Sequence, residues 1–130
     1  MKFAYAILYV PDVLAAVDFF ERALGVSRRF VHESHTYAEL ETGATALAFA
    51  DLDAAHAVVA DGCVFAHESA KPLGMEVAFV TDDVTVAYER ALGAGAVAVL
   101  VPTIKPWGQT VAYVRSPEGI LIELCTAVGA

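Results

Sequence analysis

The sequence predicts an α+β fold made of two βαβββ modules, whose curved mixed sheets pair and leave a concave cleft. Two observations lead to this prediction. A stretch near the start of the chain recurs in its second half, and each half contains a strand, a helix and three further strands in the same order. The modules span about residues 1–50 and 75–130, joined by a connector at about 51–74. A length of 130 residues suits a single domain built in this way.

The first module opens with residues 3–10, which alternate with the period of two that is typical of a strand. Pro11 and Asp12 end this strand and begin a helix, which Asp12 can cap and Gly25 closes. The apolar stripe of the helix consists of Val13, Val17, Phe20 and Leu24. A turn at 42–43 separates the last two of three short strands that are predicted near 27–33, 35–41 and 44–50.

The connector at 51–74 breaks this pattern, because it is rich in Ala, Asp and Gly and holds only a short predicted helix around 52–60. Its length makes it a candidate cover for a ligand cleft, although a plain crossover between two modules is the commoner case. The sequence leaves both interpretations open.

The second module repeats the first. Val80-Thr81-Asp82 matches Val10-Pro11-Asp12, and Glu89-Arg90-Ala91-Leu92-Gly93 repeats Glu21-Arg22-Ala23-Leu24-Gly25, at offsets of 70 and 68 residues. A turn at 116–119 joins the last two of the elements predicted here, which are a helix at about 83–93 and strands near 97–101, 109–115 and 119–125. Neither module can bury both faces of its sheet, so pairing covers one face and leaves a cleft on the other.

Composition excludes several classes of partner. The net charge is −8, and the bases occur singly or in pairs, so neither nucleic acid nor an anionic membrane is an expected partner. No apolar run reaches the roughly 18 residues of a membrane span. Met1 leads directly into a strand pattern without a leader, and Cys63 and Cys125 lack CxxC spacing. We therefore expect a cytoplasmic protein with reduced thiols.

Three segments carry a resemblance to a known family: LYVPDVLAAVDFFERALG, MEVAFVTDDVTVAYERALGAGA and WGQTVAYVRSPEGILIEL. Over essentially its whole length the chain resembles the vicinal oxygen chelate superfamily, which holds glyoxalase I, bleomycin-resistance proteins and extradiol dioxygenases. The terminal motif is fairly specific, whereas the strands of the first half are generic. The resemblance implies paired βαβββ modules with a ligand cleft, formed within the chain or across a homodimer, and we expect a homodimer.

The resemblance also implies four metal-ligand positions on the cleft face, which fall here on Tyr5, on Ala48 or Leu47, on Glu76 and on Glu123. The apolar residue cannot bind a metal, and no histidine falls on any of these positions. Two acids suit a weak magnesium or manganese site and make a poor zinc, iron or nickel site. We therefore expect no metal cofactor, and a weakly held divalent ion at Glu76 and Glu123 is the disfavoured alternative.

Glu76 and Glu123 are the candidate catalytic residues. If they face each other in the cleft, each carboxyl raises the proton affinity of the other, and one can act as an acid, a base or a hydrogen-bond donor. The alternative is that Glu123 is an inherited acid, hydrogen-bonded to a neighbouring strand. The candidate ligand-binding residues are aromatic side chains and one amide that strand alternation can bring to the cleft: Tyr5, Tyr37, Phe49, Trp107, Gln109 and Tyr113.

These observations favour a metal-free small-molecule binding protein of the glyoxalase/bleomycin-resistance type, which sequesters an antibiotic or another aromatic compound. The two acids would pair with a cationic or amine-bearing ligand. The alternative is a lyase or isomerase in which Glu76 and Glu123 move a proton next to a carbonyl group, with or without a weakly held divalent metal. A structural or regulatory protein without a ligand is the third reading.

Overall fold

The computed structural model describes residues 1–129, and in it the chain folds as two four-stranded mixed sheets with three helices. The first module contains β1 (Tyr5–Tyr9), α1 (Val13–Leu24), β2 (Arg28–Val31), β3 (Tyr37–Leu40) and β4 (Ala46–Ala50). The connector holds α2 (Leu52–Val58) and a single 3₁₀ turn (Ala66–Glu68). The second module contains β5 (Val77–Val80), α3 (Val84–Gly93), β6 (Val97–Ile104), β7 (Thr110–Arg115) and β8 (Leu121–Cys125). The predicted fold class is confirmed.

Both sheets have the same topology. Their strand orders are β1-β4-β3-β2 and β5-β8-β7-β6, with the outer strand that opens each module parallel to the strand that ends it. Ile7 pairs with Ala48 in the first sheet, and Ala78 pairs with Glu123 in the second. The register therefore makes Ala48, and not Leu47, the counterpart of Glu123.

The two long helices begin at matching caps. Asp12 accepts a hydrogen bond from the Ala15 amide at 3.0 Å, and Asp83 accepts one from the Val86 amide at the same distance. The residue equivalent to Asp12 is thus Asp83, so the sequence match to Asp82 was one residue out of step. Within residues 1–129, no helix has the length and apolar character needed to cross a bilayer.

Several strand bounds differ from prediction, and the structure gives a reason for three of the strands. β6 continues to Ile104 because its pairing with β7 absorbs two register shifts and still reaches the Ile104–Thr110 pair. β2 and β3 are shorter than predicted, since the His32 amide bonds to the Tyr37 carbonyl at 2.9 Å and closes the turn early. His35 adopts a φ of 60° in this turn, and both His32 and His35 are exposed.

The modules pack together within the chain through α1 and α3. Arg90 Nε donates to the Arg22 carbonyl at 2.8 Å. The Phe20 ring of α1 lies 5.0 Å from the Phe49 ring of the first sheet and 6.3 Å from the Phe79 ring of the second. A single apolar cluster therefore contains both helices and one face of each sheet. The homodimer stays a prediction.

We call the face of each sheet that points away from its long helix its open face. In the first sheet, Ala6 and Leu8 pack on the core, so Tyr5, Ile7 and Tyr9 lie on the open face. In the second sheet, Ala112, Val114, Ile122 and Leu124 belong to the core. The open face therefore presents the alternating residues Val111, Tyr113, Arg115, Leu121, Glu123 and Cys125.

The predicted turn between β7 and β8 is confirmed, and it depends on a glycine. The Gly119 amide bonds to the Ser116 carbonyl at 2.9 Å, and Gly119 has a φ of 88°. A Cβ atom at Gly119 would also collide with the backbone carbonyl of Ala66 in the connector. This turn therefore brings the second module into direct backbone contact with the connector.

We expect Gly119→Ala to lower the free energy of unfolding by about 3 kcal/mol, because backbone strain and a steric clash act together. Gly43→Ala is the matched control, since Gly43 has a φ of 90° but open space around its α-carbon. The control should cost only about 1 kcal/mol. Urea unfolding of both variants measures the difference, and equal losses would show that the contact between Gly119 and Ala66 is absent in solution.

Candidate functional site

Glu76, Tyr113 and Glu123 come together on the open face of the second sheet, and we call them the acid–phenol cluster. Glu123 pairs directly with Tyr113 on β7 and with Ala78 on β5, and Glu76 lies just before β5. Burial, and then the charge of Glu123, raises the pKa of the Glu76 carboxyl. Burial, followed by the two carboxyl charges, raises the pKa of Tyr113 to about 12. The two carboxyls are thus close enough to affect the ionisation of Glu76 and of Tyr113.

This cluster combines acceptors and donors. Because the pKa of Glu76 is raised, its carboxyl holds a proton to higher pH than an isolated glutamate does. Tyr113 stays protonated and can donate. The cluster can therefore accept from an ammonium or hydroxyl group, or hold a proton that a bound molecule shares.

A cavity of about 300 Å³ lies between the edge strands β1 and β5, with the connector as one wall. The β1 side contributes Ile7 and Tyr9, and the β8 side contributes Leu121. The connector closes the cavity with an apolar surface made of Val59, Val64, Phe65, Leu73 and Met75. Among residues 1–129, Glu76 is the only carboxyl residue in the wall, so the cavity and the acid–phenol cluster share one side chain.

The first sheet carries a different arrangement at the equivalent place. Tyr37 donates to Glu39 at 2.8 Å, and Arg29 Nη1 donates to the other oxygen of Glu39 at 3.3 Å. Arg29 also binds Glu41 through Nη2 at 2.8 Å. Burial, followed by the bond to Glu39, raises the pKa of Tyr37 to about 12. Both oxygens of the Glu39 carboxylate are already hydrogen-bonded, so Glu39 is not free to bind a ligand.

The structure places the remaining predicted residues differently. Tyr5 lies on the open face of the first sheet and is 54% exposed, so it is free to meet a ligand. Trp107 is 65% exposed in the turn between β6 and β7, and its Nε1 donates to Gln109 Oε1 at 2.9 Å. Gln109 Nε2 donates to the Thr126 carbonyl at 2.8 Å, so both ends of this amide already hold the turn in place.

The prediction that Phe49 lines the ligand cleft is wrong. Phe49 has no exposed surface and packs on α1 through Phe20. Strand alternation puts Phe49 on the helix side of β4, because its neighbour Ala48 pairs with Ile7 on the open face. Phe49 is therefore a core residue.

Sequence reasoning missed Arg115 and the cavity wall. Arg115 shares the open face with Tyr113, and alternation along β7 was the signal that could have found it. The apolar residues of the connector gave no comparable signal, since they have no period and meet the sheets only in the folded chain. Glu118 is buried in the β7–β8 turn, and burial raises its pKa.

The family resemblance implies a divalent metal, and the donor set here does not fit one. Tyr5 and Glu76 occupy matching positions, as do Ala48 and Glu123, and Ala48 has no donor atom. Among residues 1–129, no three His, Cys, Asp or Glu side chains gather where a metal ion could bind them together. The nearby Cys125 thiol has a pKa raised by burial, which disfavours a thiolate ligand. We therefore derive no chemical step through a metal.

Comparison with known proteins agrees with this fold. The model of the Glyoxalase/Bleomycin resistance protein/Dioxygenase superfamily matches residues 2–124. Among curated proteins, none matches the sequence significantly. The family match spans both modules and the connector between them.

Solved structures share the architecture. A glyoxalase-related enzyme from Fulvimarina pelagi has a TM-score of 0.82 at 20% identity, covering 98% of this chain and 88% of that one. A glyoxalase/bleomycin resistance protein/dioxygenase family enzyme from Burkholderia phytofirmans PsJN has a TM-score of 0.83 at 18% identity, covering 97% and 98%. TioX from Micromonospora sp. ML1 has a TM-score of 0.69 at 23% identity, with the same coverage. At such identities the likeness shows a shared fold only.

The donor set leads to a prediction about metals. Calorimetric titration with zinc, nickel and manganese should show no stoichiometric binding at micromolar concentration, because two carboxyls and a phenol lack the imidazole ligands that tight sites use. The double variant Glu76→Gln/Glu123→Gln is the control and should give the same isotherms. Tight binding to the native protein that the double variant loses would contradict this assignment.

Proposed function

We propose, from the premise that this chain belongs to the Glyoxalase/Bleomycin resistance protein/Dioxygenase superfamily, that it is a small-molecule binding protein. Its ligand would have an apolar, partly aromatic body and one cationic or amine head. The body would occupy the cavity between β1, β5 and the connector, and the head would meet the acid–phenol cluster. An antibiotic or another aromatic amine that the cell must sequester has this chemistry.

The observation that carries the proposal is that Glu76 belongs both to the cavity wall and to the acid–phenol cluster. Within the described residues, 1–129, it is the only carboxyl residue in an otherwise largely apolar wall, and the charge of Glu123 raises its pKa. Ligand sites are typically apolar concavities with a few polar groups that fix orientation. A cavity of about 300 Å³ with one acid at its edge has this character.

The charges around the site favour an amine over an acid. The guanidinium on the first open face, Arg29, is occupied by Glu39 and Glu41. The guanidinium on the second, Arg115, is occupied by backbone carbonyl groups. Neither of these two guanidinium groups is free to bind an anionic ligand, whereas an ammonium would relieve the repulsion between Glu76 and Glu123.

A second candidate function is proton transfer. Burial and the charge of Glu123 raise the pKa of Glu76, so the Glu76 carboxyl would hold the proton that is transferred, and the neighbouring Glu123 carboxylate would accept one. In this case the protein would be a lyase or isomerase that shifts a proton next to a carbonyl group.

We expect naphthylmethylamine to bind roughly tenfold more tightly than naphthylmethanol, because only the amine makes a charge-assisted bond, and naphthoate to bind weakest. Glu76→Gln should remove the preference for the amine and leave the binding of the alcohol unchanged. Titration of naphthalene fluorescence measures all three affinities.

Glu33→Gln is the matched control, since it makes the same chemical change at an exposed turn residue far along the chain from the cluster. The proposed ligand class would be contradicted if the Glu33 variant also lost its preference for the amine over the alcohol, or if the native protein preferred naphthoate. Glu123→Gln separates the two functions. If the protein is a binding protein, this substitution lowers the affinity for the amine and does not change the affinity for the alcohol. If it is an enzyme, the substitution abolishes turnover of a carbonyl substrate.

The affinity for naphthylmethylamine should rise with pH. The pKa of Glu76 lies above its ordinary value of 4.5, so its carboxyl ionises, and becomes able to bind an ammonium, only as the pH passes that raised pKa. An alkylammonium stays charged from about pH 4 to about pH 8. Titrations across this range should show tighter binding at the upper end for the amine and a flat profile for naphthylmethanol. A flat profile for the amine would contradict the role of Glu76.

A further inference from the structure

One side chain ties the connector to the second module. Among residues 1–129, every hydrogen bond between residues 63–74 and the rest of the chain comes from Arg115, apart from the local bond from the Met75 amide to the Leu73 carbonyl. The other hydrogen bonds of this segment are local, such as that from the Ser69 amide to the Ala66 carbonyl. The attachment of this stretch thus depends on one guanidinium and on apolar contacts.

All three nitrogen atoms of the Arg115 guanidinium donate hydrogen bonds. Its Nε donates to the Gly119 carbonyl at 3.0 Å, which fixes the guanidinium within its own hairpin. Its Nη2 donates to the Ser69 carbonyl at 2.8 Å and to the Ala66 carbonyl at 3.0 Å. Longer contacts reach the carbonyls of Ala70 at 3.3 Å and Lys71 at 3.5 Å. Only a planar group with several donors can serve so many acceptors at once.

This attachment lies at the wall of the cavity. Phe65 and Ala66 line the cavity from the connector, and Gly119 lines it from the β7–β8 turn. The Ala66 carbonyl contacts both the Arg115 guanidinium and the α-carbon region of Gly119. Loss of the Arg115 bonds would therefore free the connector at the point where it closes the cavity.

We propose that residues 59–75 form a cover over the cavity, and that Arg115 is the positioning residue that holds this cover closed and thereby controls how long a ligand stays bound. The statement about ligand retention rests on the proposed function. In the proposed bound state Arg115 does not contact the ligand, because its donors are directed to backbone carbonyls. Its effect is on the rate of ligand dissociation, since a closed cover must open before the ligand leaves.

The test uses Arg115→Met and the milder Arg115→Lys, with Arg28→Met as the matched control. Arg28 also lies in a strand and makes several hydrogen bonds to one partner, Glu21. It belongs to β2, in the other module. Two readouts are needed. Hydrogen exchange followed by mass spectrometry reports the opening of residues 63–74, and stopped-flow fluorescence gives the association and dissociation rates of naphthylmethylamine. Thermal unfolding shows that each variant is folded, and Arg115→Lys serves if the methionine variant is not.

We expect both Arg115 variants to exchange faster in residues 63–74 and to release the probe roughly tenfold faster, with association rates changed by less than about threefold. Arg28→Met should change neither readout. Unchanged exchange in folded Arg115 variants would overturn the proposal, and so would faster exchange without faster release. If the native protein does not bind the probe, the proposed function fails and ligand retention fails with it. In that event exchange alone still decides whether Arg115 holds the connector.

Discussion

The contact between α1 and α3 decides which surfaces of this protein are available for function. Each helix covers one face of its own sheet, and the Phe20 ring reaches from α1 to aromatic rings on both sheets. The apolar surface of both modules is therefore buried in one cluster. Every polar group that can meet a ligand must then lie on an open face, at the edges between the sheets or in the connector.

The two modules use equivalent positions in opposite ways. Glu39 pairs with Ala48, and Tyr113 pairs with Glu123. Because Ala48 and Glu123 occupy equivalent positions in the two modules, Glu39 and Tyr113 do so as well. In the first module Glu39 is neutralised by Arg29 and Tyr37, so its charge supports the sheet. In the second module Glu76 and Glu123 face each other without a basic partner, and the pKa of Glu76 rises. Groups held in this way tend to occur at functional sites, because their unfavourable pairing is relieved by a bound molecule.

Arg115 connects this electrostatic asymmetry to the shape of the site. The Arg115 guanidinium belongs to the same face as Glu123, yet its terminal nitrogen atoms donate to backbone carbonyls of the connector. The connector is thereby closed over the cavity, and the two carboxyls are left uncompensated. One residue thus supports both the apolar enclosure and the acidic character of the site, two features that suit a hydrophobic amine.

Much of the fold follows from local signals in the sequence. Asp12 caps α1 and Gly25 ends it in the left-handed conformation, as their positions beside an apolar stripe predicted. The turn around Gly119 and the alternation of β1 were equally readable. These features depend on near neighbours in the chain, so the sequence by itself determined them. Glu76 and Glu123 became candidates through the family resemblance, which implies ligand positions on the first and last strands of a module.

The tertiary structure decided which face of a strand meets the helix and what covers the cleft. Phe49 and Ala48 are adjacent in sequence, and only the packing of α1 puts the first in the core and the second on the open face. The connector carbonyls that Arg115 binds lie more than forty residues away in the sequence, in and just after the 3₁₀ turn at Ala66–Glu68. Backbone acceptors are identical in every residue type, so no sequence pattern marks them. The cavity, its cover and the residue that holds it closed therefore exist only once distant segments have packed together.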